Sequence, residues 1–170
     1  MTAAATRAIA ALVAAQVPHE VLRYRHDPRR HSFGAEAVEQ LIGDAGRGGL
    51  IAEQVYKTLI VEVPGAVPDG LAVAVLPVPS QLALKAVAAA LGAARAAMAD
   101  PAVAQRSTGY VLGGISPFGQ RKPLPTVVDA SALGWDRVLC SAGRRGWDIA
   151  VAPGDLIRLT HAVVADIRSA

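Results

Sequence analysis

Apolar side chains recur along the chain with two different periods, and the switches between them divide it into elements. In the alanine-rich residues 1–17, Ile9, Leu12, Val13 and Gln16 stand at helical spacing and predict an amphipathic helix that Pro18 stops. Glu20-Val21-Leu22-Arg23-Tyr24-Arg25 then alternates. This places Leu22 and Tyr24 on a strand face that meets a core or a pocket, with Arg23 and Arg25 opposite. His26-Asp27-Pro28 turns the chain, and Ser32 reads as the N-cap of a helix with Val38, Leu41 and Ile42 along one side. Residues 43–49 read as a glycine-rich mobile connector.

Two stronger strands follow. Residues 55–63 have a period of two that sets Lys57 on the same face as Leu59, Val61 and Val63. An ammonium there either snorkels out at the strand end or points into a pocket as a fixed positive charge. Residues 71–78 are apolar on both faces, as a central strand must be, and Pro77 and Pro79 end it; residues 64–70 supply a hairpin connection. Ser80 reads as the cap of a helix carrying Leu84, Val87, Ala88 and Leu91, with Gly92 as its stop, and residues 93–99 as a short strand. Asp100-Pro101 opens a helix that ends at Gly109. Further strands are expected over residues 124–129 and 137–141. A four-residue turn, Gly143-Arg144-Arg145-Gly146, leads into residues 147–151, with Ala142 opposite Trp147 and Ser141 opposite Asp148. A helix over residues 153–161 and a last segment over 163–167 complete a mixed α/β fold, a curved mixed sheet surrounded by helices.

The stretch Ser107-Thr108-Gly109-Tyr110-Val111-Leu112-Gly113-Gly114-Ile115-Ser116-Pro117-Phe118-Gly119 breaks this regularity. Its glycines permit positive φ and bring bare N–H groups close to a ligand, and Pro117 stiffens it. Such a loop suits an ester carbonyl, a phosphate or a ribose, although a plain turn between strands uses the same residues.

Composition narrows the class. At 170 residues, 52% hydrophobic and 4% aromatic, the chain fits one domain with an aliphatic core. The net charge is +3 and the pI about 9.4. Basic residues cluster at Arg23, Arg25, Arg29 and Arg30, at Arg121 and Lys122, and at Arg144 and Arg145, which suits a polyanion or ordinary solvated loops. The single cysteine, Cys140, excludes an internal disulfide and a cysteine-based zinc cluster and fits a reducing compartment. The apolar run from Ala8 to Ala15 is too short for a membrane span, and its helical spacing argues against a secretory leader. A cytoplasmic protein with no membrane partner is expected.

Read in order, several motifs carry a resemblance. They are Tyr24 with His26-Asp27-Pro28, Phe33-Gly34, Val55-Tyr56-Lys57-Thr58-Leu59, Met98-Ala99-Asp100-Pro101, Gln105-Arg106-Ser107-Thr108-Gly109-Tyr110, Gly113-Gly114-Ile115-Ser116-Pro117 and Arg145-Gly146-Trp147-Asp148-Ile149. Together they resemble the YbaK/EbsC proteins, stand-alone relatives of the editing domain of bacterial prolyl-tRNA synthetase. The resemblance implies a single aminoacyl-tRNA editing domain over residues 1–170, built as a curved, pseudo-barrel mixed sheet, and a Cys-tRNA(Pro) deacylase that also takes Cys-tRNA(Cys). It puts the essential lysine at Lys57 with Thr58 beside it, and pocket residues at Tyr24, Phe33, Gly113, Ser141 and Asp148. The connector over residues 43–53 looks longer and richer in glycine than the family's, and Phe118 stands where a smaller apolar residue is common.

The residues themselves offer no catalytic triad. His19, His26, His31 and His161 lack metal-ligand spacing, so no metal or cofactor is expected, and His26 reads as a turn residue. Cys140 alternates with Val138 and reads as core. The resemblance implies that the thiol of the mischarged cysteine attacks its own ester. In that scheme Gly113 and Gly114 N–H groups hold the carbonyl or terminal ribose, Lys57 supplies positive charge, and Tyr24 and Phe33 wall the pocket. Two other readings stand beside it: an Ala-tRNA(Pro) deacylase using a bound water, and a non-catalytic tRNA-binding module, which would need surface charge rather than a lysine on an apolar strand face. Aminoacyl-tRNA is the expected partner; whether prolyl-tRNA synthetase also binds is left open by the sequence.

Overall fold

The computed structural model describes residues 6–43 and 49–169. At its centre lies β3 (Leu71–Pro77), every residue of which is buried. Leu71, Val73 and Val75 enter one core, and Ala72, Ala74 and Leu76 enter another on the opposite face. A run that is apolar on both faces can only be satisfied this way. β2 (Tyr56–Glu62) pairs with it antiparallel, with Lys57 opposite Leu76 and Leu59 opposite Ala74. β5 (Thr126–Asp129) lies parallel on its other side, and β4 (Ala97–Met98) and β8 (Val163–Ala165) form the edges of a sheet ordered β4-β2-β3-β5-β8.

A smaller antiparallel sheet has the order β1-β7-β6, from β1 (Glu20–Arg23), β6 (Val138–Arg144) and β7 (Trp147–Val151). A parallel bridge between Val55 and Leu139 ties it to the larger sheet, which gives the mixed strands the curved, barrel-like course expected. Five helices surround them among the described residues. α1 (Arg7–Ala14), α4 (Pro101–Thr108) and α5 (Pro153–Thr160) supply Ala8, Leu12, Ala104 and Leu156 to the core between the sheets. α3 (Leu84–Ala90) covers the outer face of the larger sheet through Val87. α2 (Phe33–Leu41) covers the far face of the smaller one, with Ala37 and Leu41 against Leu139 and Ala150.

Local chemistry explains most boundaries. Thr6 caps α1 by accepting from the Ile9 N–H, and Asp100 caps α4 by accepting from Ala102, with Pro101 at the first helical position and Gly109 left-handed at the end. Other expectations need correction. Ser80 caps no helix: it sits in a turn closed on the Pro77 carbonyl, and α3 begins only after Ala83, because Leu82 and Ala83 pair first with Arg168 and Ile167. Of residues 93–99, only Ala97 and Met98 find a strand partner, against β2. The turn after β6 is two residues, Arg145 and Gly146. Trp147 therefore pairs with Arg144 rather than Ala142, and a bulge after Ser141 preserves the expected Ser141–Asp148 pair. α2 follows Ser32 as expected, but the hydroxyl makes no capping bond. Its buried side is Glu36, Ala37 and Leu41, with Val38 and Ile42 only partly covered, because its Gly34–Ala37 side faces a cavity. Most of the glycine-rich connector, residues 44–48, lies outside the described residues, as do residues 1–5 of the N-terminal helix expectation.

The C-terminal segment is latched to the centre by Asp129, which is wholly buried. Its carboxylate accepts from the N–H groups of Ser131 and Ile167 and pairs with the Arg168 guanidinium at 3.2 Å. Asp129→Ala leaves the Ser131 and Ile167 N–H donors, the latter buried, and the Arg168 guanidinium without their acceptor and should destabilise the fold by about 3 kcal/mol. Urea unfolding of the two proteins measures this directly, and a loss well below about 1 kcal/mol would mean the latch is not a stabilising element.

Candidate active site

Where α2, the start of β2, the β6–β7 hairpin and the glycine-rich loop converge, they enclose a cavity of about 370 Å³. Its wall brings together Tyr24, Phe33, Lys57, Thr58, Gly113, Ser141 and Asp148, seven of the eight residues singled out from the sequence. Gly114 is the exception. Its N–H closes a turn on the Val111 carbonyl at 2.9 Å, and a Cβ there would stand 2.9 Å from Arg144 Cα, so it serves loop packing rather than the cavity wall. A second cleft of about 210 Å³, between α1, α5 and residues 117–124, is lined by no charged side chain.

Lys57 resolves its two sequence alternatives in favour of the cavity. The side chain is half-buried, and its Nζ donates to the carbonyls of Ser80 at 2.6 Å and Val78 at 3.3 Å. An ammonium has three donors, so one N–H remains for a ligand. Burial lowers its pKa from the ordinary lysine value. The turn that delays α3 is thus also the one whose carbonyls hold the charge. Next to it, the Thr58 Oγ1 is buried and has no hydrogen-bond partner among the described residues.

The opposite wall comes from the smaller sheet. Asp148 is 7% exposed, its carboxyl makes no hydrogen bond among the described residues, and burial pushes its pKa up to about 7. Ser141, its cross-strand partner, accepts from the Gly143 N–H across the bulge. Burial, reinforced by the Asp148 and Glu36 carboxylates, raises the Tyr24 phenol. Tyr24 is anchored by its own N–H, which donates to the Gly146 carbonyl at 2.8 Å.

The loop is tied down at many points. Gln105 Oε1 accepts from the Leu112 N–H, the Tyr110 hydroxyl donates to the Phe118 carbonyl at 2.6 Å, and Arg121 N–H donates to the Thr108 carbonyl. Gly113 has φ 81° and any Cβ would overlap the Phe33 ring, so only glycine lets ring and loop meet. Phe33 in turn lies under the Arg145 guanidinium, 4.6 Å from its ring centre, while Arg145 Nε donates to the Leu112 carbonyl at 2.7 Å.

Sequence reasoning missed Glu36. It is 2% exposed and receives His26 Nδ1 at 2.6 Å and the Asp27 N–H at 2.8 Å, which locks the chain after Tyr24 to the helix that carries Phe33. An acidic residue in a first helical turn reads as a complement to the helix dipole, and nothing in the spacing pairs it with His26. His26 is accordingly more than a turn residue: its ring packs against Phe33 at 5.8 Å. Cys140 is fully buried, and burial raises its thiol pKa far above the ordinary value. Among the described residues, no three His, Cys, Asp or Glu side chains converge to hold a metal ion, and no helix is long and apolar enough to cross a membrane.

A half-buried ammonium and a buried carboxyl line one cavity, with no nucleophile hydrogen-bonded to a base among the described residues, an arrangement suited to orienting a reactive substrate. Comparison with known proteins agrees with that class: residues 34–159 match the aminoacyl-tRNA editing domain, and the chain belongs to this family. It is an enzyme of aminoacyl-tRNA editing, acting on the aminoacyl ester, and its substrate is an aminoacyl-tRNA. Over 136 residues it is 33% identical to EbsC of Enterococcus faecalis, provisionally named a Cys-tRNA(Pro)/Cys-tRNA(Cys) deacylase, covering 79% of this chain and 77% of that one. It is 28% identical over 135 residues to ProXp-y of Escherichia coli K12, named a multifunctional Ser/Thr-tRNA deacylase, covering 78% and 77%. Its fold is that of a crystal structure described provisionally as a trans-editing enzyme for prolyl-tRNA synthetase, with a TM-score of 0.77, 24% identity and coverage of 100% and 99%. The crystal structure of a protein designated APE2540 gives a TM-score of 0.76 at 25% identity over 93% and 96%.

The state of Asp148 has a thermodynamic signature. Between the unfolded value of 3.8 and about 7 the folded chain holds a proton that the unfolded chain has released, so stability should fall as pH rises through that window and level off above it. Thermal melts of wild type and Asp148→Asn across pH 4 to 8 test this: the difference between them should change with pH only inside the window. Parallel curves would mean that the carboxyl is not held neutral by burial.

Proposed function

We propose that this chain hydrolyses tRNA(Pro) mischarged with cysteine, with Cys-tRNA(Cys) as a second substrate, and that the attacking group is the thiol of the substrate itself. The observation that carries this reading is the cavity wall, which supplies a held charge and shape but, among the described residues, no nucleophile hydrogen-bonded to a base. The name borne by EbsC supports it. Lys57 offers its free N–H to the developing oxyanion, Gly113 its backbone to the carbonyl or terminal ribose, and Tyr24 and Phe33 bound the side chain. Thr58, Ser141 and Asp148 take the polar atoms of the aminoacyl group. A carbon–sulfur bond forms as the ester C–O bond breaks, the thiol proton ends on the ribose hydroxyl, and water then opens the resulting thiolactone. Intramolecular attack in a held geometry gains on the order of 7–11 kcal/mol over a bimolecular one. Proline, without a thiol, escapes. The reaction belongs in the cytoplasm, where translation supplies the substrate.

A second reading has one observation in its favour. The unpartnered Thr58 Oγ1 suits a hydroxyl side chain as well as a thiol, and ProXp-y is named for Ser/Thr-tRNA. In that case a bound water attacks instead.

Single-turnover deacylation of Cys-, Ser- and Ala-charged tRNA separates the two readings. The cysteine ester should be cleaved fastest; equal rates on the serine ester would sink the thiol mechanism and favour water. Lys57→Ala should lose roughly 100- to 1,000-fold, as removal of one oxyanion donor does. Cys140→Ala, checked for folding by thermal melts, should retain most activity, and a folded but dead variant would make Cys140 the nucleophile.

A further inference from the structure

One residue of the cavity wall has no part in the chemistry described so far. Of the side chains that line the cavity, His31 alone is exposed, so it stands at the mouth, two residues before α2 begins. Its ring meets that of Phe33 nearly at right angles, with 84° between the planes and 6.4 Å between the centres. Two rings at that angle do not cover each other face to face, so at least one face of the imidazole is left open to another flat group.

Arg145 meets the same ring. Its guanidinium lies 4.6 Å from the Phe33 ring centre and its Nε donates to the Leu112 carbonyl at 2.7 Å, so the side chain is held by two residues of the cavity wall while remaining exposed. Its charge is not spent on an acid. Arg29 and Arg30, in the turn before His31, pair with Asp27 and Glu39, whereas Arg145 has no carboxylate within ion-pair distance among the described residues. The other donors of its planar fork are left for a ligand.

We propose that His31 and Arg145 form an outer subsite for the terminal nucleotide of the tRNA, the imidazole stacking on its base and the guanidinium holding its 5′-phosphate. This rests on the aminoacyl-tRNA reading of the cavity and assigns the part of the substrate that stays outside it. The ester is carried by the terminal ribose. With the aminoacyl group inside and the ribose at Gly113, where loop and Phe33 ring close on each other, base and phosphate emerge beside that ring. The two groups that meet the ring are the types that recognise an unpaired RNA end, a flat ring for a base and a planar fork for a phosphate. Both lie within 6.4 Å of one ring centre, a spacing that a single nucleotide bridges. Because Phe33 and Leu112 already hold the arginine, little side-chain freedom is lost when the phosphate arrives.

Calorimetric binding of three non-hydrolysable amides tests both contacts: the cysteinyl amide of 3′-amino-3′-deoxyadenosine 5′-monophosphate, the same molecule without its phosphate, and the same molecule with hydrogen in place of adenine. Wild type should bind the complete analogue most tightly. His31→Ala should bind both adenine-bearing analogues roughly tenfold more weakly than wild type does and the base-free one equally well, and His31→Phe, which keeps a flat ring, should restore the loss. Arg145→Gln should lose roughly tenfold on the two phosphorylated analogues and nothing on the third. Thermal melts establish that each variant is folded. A folded His31→Ala that binds the adenine analogues as wild type does, or loses as much on the base-free one, overturns the stacking contact. An equal loss for Arg145→Gln with and without phosphate makes the arginine a brace for Phe33 and overturns the phosphate contact. If the analogues bind in the expected pattern while wild type fails to deacylate Cys-tRNA, the proposed chemistry falls and the subsite stands; brisk deacylation with no dependence on base or phosphate does the reverse.

Discussion

The complete burial of β3 is the constraint from which the rest of the architecture follows. A seven-residue strand with no polar face must have apolar partners on both sides and hydrogen-bonding neighbours on both edges. β2 and β5 provide the edges; α3 covers one face, and the smaller sheet with α1, α4 and α5 covers the other. Two structural layers thus meet near the beginning of β2, and the cavity forms there because α2 and the glycine-rich loop bridge the seam without filling it.

That placement sets the electrostatics. Lys57 lies at the end of β2 opposite Leu76, where β3 runs out into Pro77 and the following turn. A lysine deeper in the strand would have faced Val61 and Val63 with no acceptor. At this position the carbonyls of Val78 and Ser80 hold its ammonium, and burial makes it readier to give up a proton. Asp148 receives no such help, and burial drives it toward the neutral form. Burial disfavours the charged form of both groups, and what sets them apart is the pair of carbonyls that holds the Lys57 ammonium and has no counterpart at Asp148 among the described residues.

The hairpin and the loop act as a unit. Arg144 packs on Gly114, Arg145 bonds Leu112 and covers Phe33, Phe33 occupies the space that Gly113 leaves open, and Glu36 ties the same helix back to the chain after Tyr24. A cavity assembled this way owes its width to backbone approach and locked polar contacts more than to the volume of any one side chain. Small substitutions at the two glycines should therefore act over several walls together.

Much of this was legible in the chain itself, because local chemistry decides it. The alternation of Leu22 and Tyr24, the double apolar face of β3, and the Asp100-Pro101 start and Gly109 stop of α4 all follow from periodicity and capping, which act over a few residues. The motif order over the whole chain pointed to the family and to seven of the cavity residues. Tertiary structure decided the remainder. Ser80 gave up its helix because Leu82 and Ala83 found partners near the C-terminus, and its carbonyl became a holder of Lys57 instead. Glu36 met His26, Gly114 turned inward on Arg144, and Trp147 gathered Arg23 and Arg144 onto one ring. Each of these contacts joins segments far apart in sequence or depends on the direction of a single side chain, and no local period carries that information.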